Sequence, residues 1–190
     1  MAEQGDRAQR PIQRPFLKNL KNVLYVDSPS VASGMKQSCI RFFLNLVTNL
    51  SYYPNFRLAL PRIGRPARID LTIFEPAMPY TEPEIALISR QYAPGHPEYE
   101  GLLQYCLKNR GMSGLLLPIV VKAEHPESKF LGYTSMDTRS SVAQQALSRL
   151  KSLRERADIE ILACFLKKDL KPEGLNRFLE THGFVPVDSE

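Results

Sequence analysis

The chain has 190 residues, a net charge of +5 and three cysteines with no CxxC spacing. This length buries a core without metal or disulfide staples, and Cys39, Cys106 and Cys164, each beside apolar sequence, are expected to be buried reduced thiols. The longest apolar run is seven residues, Leu115 to Val121, far short of the ~20 that span a bilayer; no secretory signal pattern occurs, and a cytoplasmic protein is expected.

Residues 1–15 are polar and proline-containing and read as a flexible tail, with 16–190 as one domain. Val23 to Val26 is a short β-type run. Ser28 and Pro29 then supply an N-cap and a first helical residue. Val31, Met35, Phe42, Leu46 and Leu50 recur at near-helical spacing, widened by Phe43 and Val47, and predict a long amphipathic helix over 29–50 with this stripe in the core. Ser51 to Phe56 breaks it. Residues 57–60 and 67–74 read as two strands of a hairpin; in the second, Ile69, Leu71 and Ile73 alternate with Arg68, Asp70 and Thr72.

Thr81-Glu-Pro-Glu84 has the form of a capping box, followed by a short helix or an irregular segment to Arg90. A firm helix is predicted over 97–110, with Gly111 as its stop. The runs Gly114 to Val121 and Phe130 to Met136, joined by a polar loop, read as a central hairpin. Ser140 or Ser141 opens a helix to Arg156, with Val142, Ala146, Leu150 and Leu153 on one face. A strand over 159–166 and a helix over 172–181, ended by Gly183, complete the chain. Hairpin-dominated connections predict an α+β fold: a central, mostly antiparallel sheet of five or six strands with packed helices.

No GxSxG elbow, Walker loop, GxGxxG turn or HExxH pair is present. His96, His125 and His182 are not spaced for metal, and Asp70, Glu75, Asp137 and Asp158 are scattered. No catalytic residue, metal or cofactor is therefore assigned. The densest polar group is Arg57, Arg62, Arg65 and Arg68 around Gly64. Guanidinium forks suit phosphate, and the preceding Tyr52 and Tyr53 suit stacking on a base. Arg139, after the second central run, lies at a sheet edge in this reading. These seven residues form the candidate ligand site, with a solvated loop as the plain alternative. A second basic zone, Arg149 to Arg156 and Lys167 to Lys171, reads as a solvated face.

Leu117-Pro-Ile-Val-Val, then Phe130-Leu-Gly-Tyr-Thr-Ser, then an amphipathic helix resemble the late strands and closing helix of GAF-type domains, over 29–156 in order of elements. GAF-like modules accompany PilZ domains, which bind cyclic di-GMP through Arg-x-x-x-Arg and a later Asp/Asn-x-Ser-x-x-Gly. Asp169 and Gly174 keep the second spacing, with Lys171 where Ser is expected; Arg149 and Arg154 stand one residue too far apart for the first. The resemblance implies a GAF/PAS-like sensor module of the kind associated with PilZ domains, and with it cyclic-dinucleotide binding.

Three readings follow. The leading one is a non-enzymatic regulatory module of bacterial signalling. It binds a nucleotide or other anionic small molecule, or a protein partner or second copy through the 29–50 helix. The others are a basic nucleic-acid-associated protein and a small enzyme with dispersed residues. No membrane partner is expected.

Overall fold

A computed structural model describes residues 20–27, 34–92, 97–137, 139–156 and 158–184. The expected tail at 1–15, the caps Ser28 and Pro29, Val31, the Met35 side chain and His96 lie outside the described residues.

Among the described residues five strands form one sheet: β1 (Asn22–Val26), β2 (Asn49–Tyr53), β3 (Leu71–Phe74), β4 (Lys129–Thr134) and β5 (Ile161–Leu166). The spatial order is β2-β1-β3-β4-β5, and every neighbouring pair is parallel. Parallel neighbours need a crossover between them, and helices fill the crossovers: α1 (Gly34–Val47), α2 (Phe56–Ile63), α3 (Glu82–Tyr92), α4 (Pro97–Lys108), α5 (Leu117–Glu124) and α6 (Ser141–Arg156); α7 (Pro172–Thr181) follows the last strand.

The expected antiparallel α+β sheet is thereby corrected to a doubly wound α/β sheet, and the GAF/PAS-like and PilZ-associated resemblance is overturned by the same topology. The supposed central hairpin does not exist. Arg110–Leu116 is a 3₁₀ segment, and Leu117 to Val121 form the start of α5 with Pro118 in its first turn. All five are buried. A helix enclosed on all sides shows the same unbroken apolar run as a buried strand, so periodicity cannot separate the two. Asp169 to Gly174, matched to the PilZ spacing, is the turn after β5 and the first turn of α7.

The 57–60 strand is also corrected. Asn55 caps α2 by accepting from the Leu58 N–H at 2.9 Å, and Phe56, Ala59 and Ile63 are its buried face. Conversely, the expected helix breaker at 51–53 is edge strand β2. Ile69, Leu71 and Ile73 are buried as expected, but so are Asp70 and Thr72. Alternation fades because a parallel strand is covered on both faces.

The helix expected over 29–50 ends at Val47, and Leu50 lies in β2; the capping signals of later helices stand where the sequence placed them. Glu84 closes the capping box on the Thr81 N–H at 2.7 Å. Ser140 accepts from the Ala143 N–H at the start of α6. Gly183 takes a left-handed backbone, φ 72°, just past α7.

The sheet separates two apolar layers. Leu24, Val26, Phe74 and Phe130 face a layer built from α2, α5, the 3₁₀ segment and α6, with α3 and α4 packed outside it. Val23, Tyr25, Ile73, Leu131 and Tyr133 face α1 and α7 through Ile40, Leu44, Leu175 and Leu179. On α1 the predicted stripe is rotated. Ile40 and Leu44 are buried, whereas Phe42 is 68% and Leu46 49% exposed.

A candidate site at the carboxyl ends of the strands

In open parallel sheets the crevice beyond the strand carboxyl ends, where the strand order reverses, is the natural ligand position. Here it lies between β1 and β3. Asp27 follows β1, Glu75 follows β3, Thr134 ends β4 and Lys167 follows β5. Extension of the ladder aligns them: the Asp27 N–H donates to Tyr53 O, Glu75 N–H to Val26 O and Lys167 N–H to Thr134 O, at 3.1, 3.1 and 2.8 Å.

Their side chains converge in the interior. Lys167 Nζ lies 2.6 Å from Asp27 Oδ1 and 2.8 Å from Glu75 Oε2. Lys167 is 5%, Glu75 2% and Asp27 0% exposed. Glu75 also receives the Ala77 N–H and Thr134 hydroxyl on Oε1, and the Ser135 N–H and hydroxyl on Oε2. With Lys167 that makes five donors, one more than the roughly four lone-pair directions of a carboxylate. The Tyr25 hydroxyl donates to Asp27 Oδ2 at 2.6 Å, and the Tyr52 hydroxyl to the Asp27 carbonyl at 2.9 Å.

Burial raises the Asp27 carboxyl above its ordinary value despite Lys167 and the Tyr25 hydrogen bond. Tyr133 lies close by, its ring centroid 5.6 Å from Lys167 Nζ. Burial and the two carboxylates push it up to about 12, and its hydroxyl has no partner among the described residues. The backbone behind Glu75 is held by Gly114, whose N–H donates to Met78 O at 2.8 Å. A Cβ at 114 would stand 2.0 Å from the Glu75 carbonyl.

The seven sequence-derived ligand residues do not form one group. Tyr52, Tyr53 and Arg57 lie at the carboxyl end of the sheet, because they close β2 and open α2. Arg62, Arg65 and Arg68 lie at the opposite end, on the path into β3. Arg62 is buried and donates to the Ala67 and Arg68 carbonyls. Arg68 pairs with Asp70 at 2.8 Å, and Arg139 with Asp137 at 3.2 Å. Arg57 and Arg65 are exposed. Tyr52 carries Arg41 over its ring at 4.0 Å.

The sequence reading missed the Asp27–Glu75–Lys167 cluster. Its signal was present: a charged residue directly follows each of three apolar runs, Val23 to Val26, Leu71 to Phe74 and Ile161 to Leu166. Among the described residues no group of three acidic, histidine or cysteine side chains is placed to hold a metal ion, and no helix is long and apolar enough to cross a membrane.

No family model and no curated protein matches the chain. A solved structure of the response regulator RcsB of Salmonella typhimurium, described for its conformational dynamism in DNA interaction, is similar over 90% of this chain and 65% of its own. The TM-score is 0.48 and the identity 16%. The chain thus spans just under two thirds of that protein's length.

Proposed function

We propose that the chain is a regulatory module without catalytic turnover. Its control element is the Asp27–Lys167–Glu75 cluster, and its output is contact with a protein partner through α1. The saturation of Glu75 by five donors carries this reading. A reacting or ligand-binding carboxylate keeps lone pairs for its substrate; Glu75 spends them on its own chain. The cluster also ties the ends of β1, β3, β4 and β5 together, so a change of charge within it acts on the loops that follow those strands. Networks of this kind have discrete arrangements rather than a continuum, which suits a switch. Phe42 and Leu46, exposed on α1 beside Arg41, supply the partner surface.

Glu75→Gln tests the control element. It keeps the shape of the side chain but turns one acceptor into a donor facing Ser135 or Thr134. Hydrogen exchange should accelerate at 76–80 and 135–137 while β1 and β3 amides stay protected. Unchanged exchange in both loops would reduce the cluster to a structural lock. Titration with inorganic phosphate and mononucleotides addresses the competing reading. Saturable binding lost in Arg57→Ala or Arg65→Ala would favour an anionic ligand instead.

A further inference from the structure

One apolar surface lies on each side of the sheet, and their charges are opposite. The first is the outer face of α1. Phe42 and Leu46, one turn apart, are 68% and 49% exposed, and Arg41 borders a groove of about 360 Å³ lined by Phe42, Asn45, Leu50 and Tyr52. No acidic residue occurs in α1.

The second surface is the seam between α3 and α4, a groove of about 500 Å³. Ile85, Ala86, Leu103 and Leu107 form its apolar lining, and Glu82 and Glu100 add negative charge. Leu107 is 43% exposed. Glu82 pairs with Arg110, whereas Glu100 has no ion pair among the described residues. The α3–α4 pair is not needed to cover the sheet. α5 and the 3₁₀ segment fill the crossover between β3 and β4, and α3 and α4 rest on them as an outer layer.

We propose that the α3–α4 groove of one copy receives the α1 face of a second copy, with Phe42 and Leu46 in the groove and Arg41 against Glu100. This rests on α1 being the partner surface and names the partner. A symmetric α1–α1 contact would bring two copies of Arg41 and no acidic residue of α1 into one interface; the acidic groove offers the opposite sign. Because the two surfaces belong to helices on opposite faces of the sheet, the contact is heterologous. It propagates head to tail instead of closing a two-fold pair.

Sedimentation of the full chain at rising concentration tests this. The expected result is a mass that grows past the dimer and falls with added salt. Phe42→Asp and Leu107→Asp, both at exposed positions, should each be folded and monomeric. Their equimolar mixture should form dimers and nothing larger, since each variant keeps one intact half. A wild-type chain that stays monomeric up to about 1 mM, an affinity floor of about 4 kcal/mol, overturns the proposal. So does a Leu107→Asp variant that still associates while Phe42→Asp does not, the signature of a symmetric α1 contact. Either failure leaves the control element of Glu75 and Lys167 to be judged by its own exchange experiment.

Discussion

Lys167→Met is the most demanding test of the cluster, because methionine keeps most of the side chain's volume and removes only its charge and donors. In the native chain Nζ sits 2.6 and 2.8 Å from two carboxylates that are 0% and 2% exposed. Without it, the Asp27 and Glu75 carboxylates lose the cation that bridges them. Breaking a buried pair by deleting one partner costs about 3–5 kcal/mol, against a total stability of roughly 5–15 kcal/mol. The loss depends on pH with a definite sign. Burial already raises Asp27, and Lys167 supplies the two strongest opposing influences. Removing them raises it further. Between the ordinary carboxyl range and the raised native value, the folded state binds the extra proton. Unfolding free energy therefore falls as pH rises through that window and is regained on acidification. Urea denaturation followed by circular dichroism at pH 8 and pH 5 measures it. At pH 8 the variant midpoint should fall by about 1 M or more, and the gap to wild type should narrow at pH 5. Adding Asp27→Asn to Lys167→Met should return part of the loss, since an amide needs no counter-charge. A loss below about 1 kcal/mol at pH 8, or a gap that does not change with pH, would refute the account.

Gly114→Ala should destabilise by about 1–3 kcal/mol, the usual range for overpacking, because its methyl would meet the Glu75 carbonyl at 2.0 Å; thermal melts decide, and a neutral substitution would mean that this backbone contact relaxes freely. The thiols should separate into two classes under Ellman's reagent. Cys39, against the sequence expectation of burial, is exposed and should react in the native protein, whereas burial pushes Cys106 and Cys164 up to about 12 and both should react only in denaturant. Fast labelling of Cys164 would indicate that the β4–β5 edge opens.

Sequence pattern and fold diverge at particular residues for identifiable reasons. Helices with an interrupted apolar pattern were legible: α4, α6 and α7 stand within two residues of their predicted bounds, since polar faces and caps mark their ends. α5 was not, because Leu117 to Val121 are enclosed on every side and carry no polar face to set a period. α2 was misread because Arg57, Leu58 and Pro61 obscure the spacing of Phe56, Ala59 and Ile63. Read as a strand, Gly114 to Val121 pairs with Phe130 to Met136 across a short polar loop, and an antiparallel sheet follows.

The cluster was lost with the topology and not for want of a residue signal. In an antiparallel sheet, the positions after Val26, Phe74 and Leu166 fall on alternating edges and have nothing in common. In a parallel sheet they share one edge, and there Asp27, Glu75 and Lys167 meet. The same logic separates the arginines: a recurrence every third residue from Arg62 to Arg68 looks like one patch in a hairpin loop. In the crossover from β2 to β3, α2 carries Arg57 at one end of the sheet and delivers Arg62 to the other. Strand direction, which neither composition nor spacing encodes, decides which charges can act together in this chain.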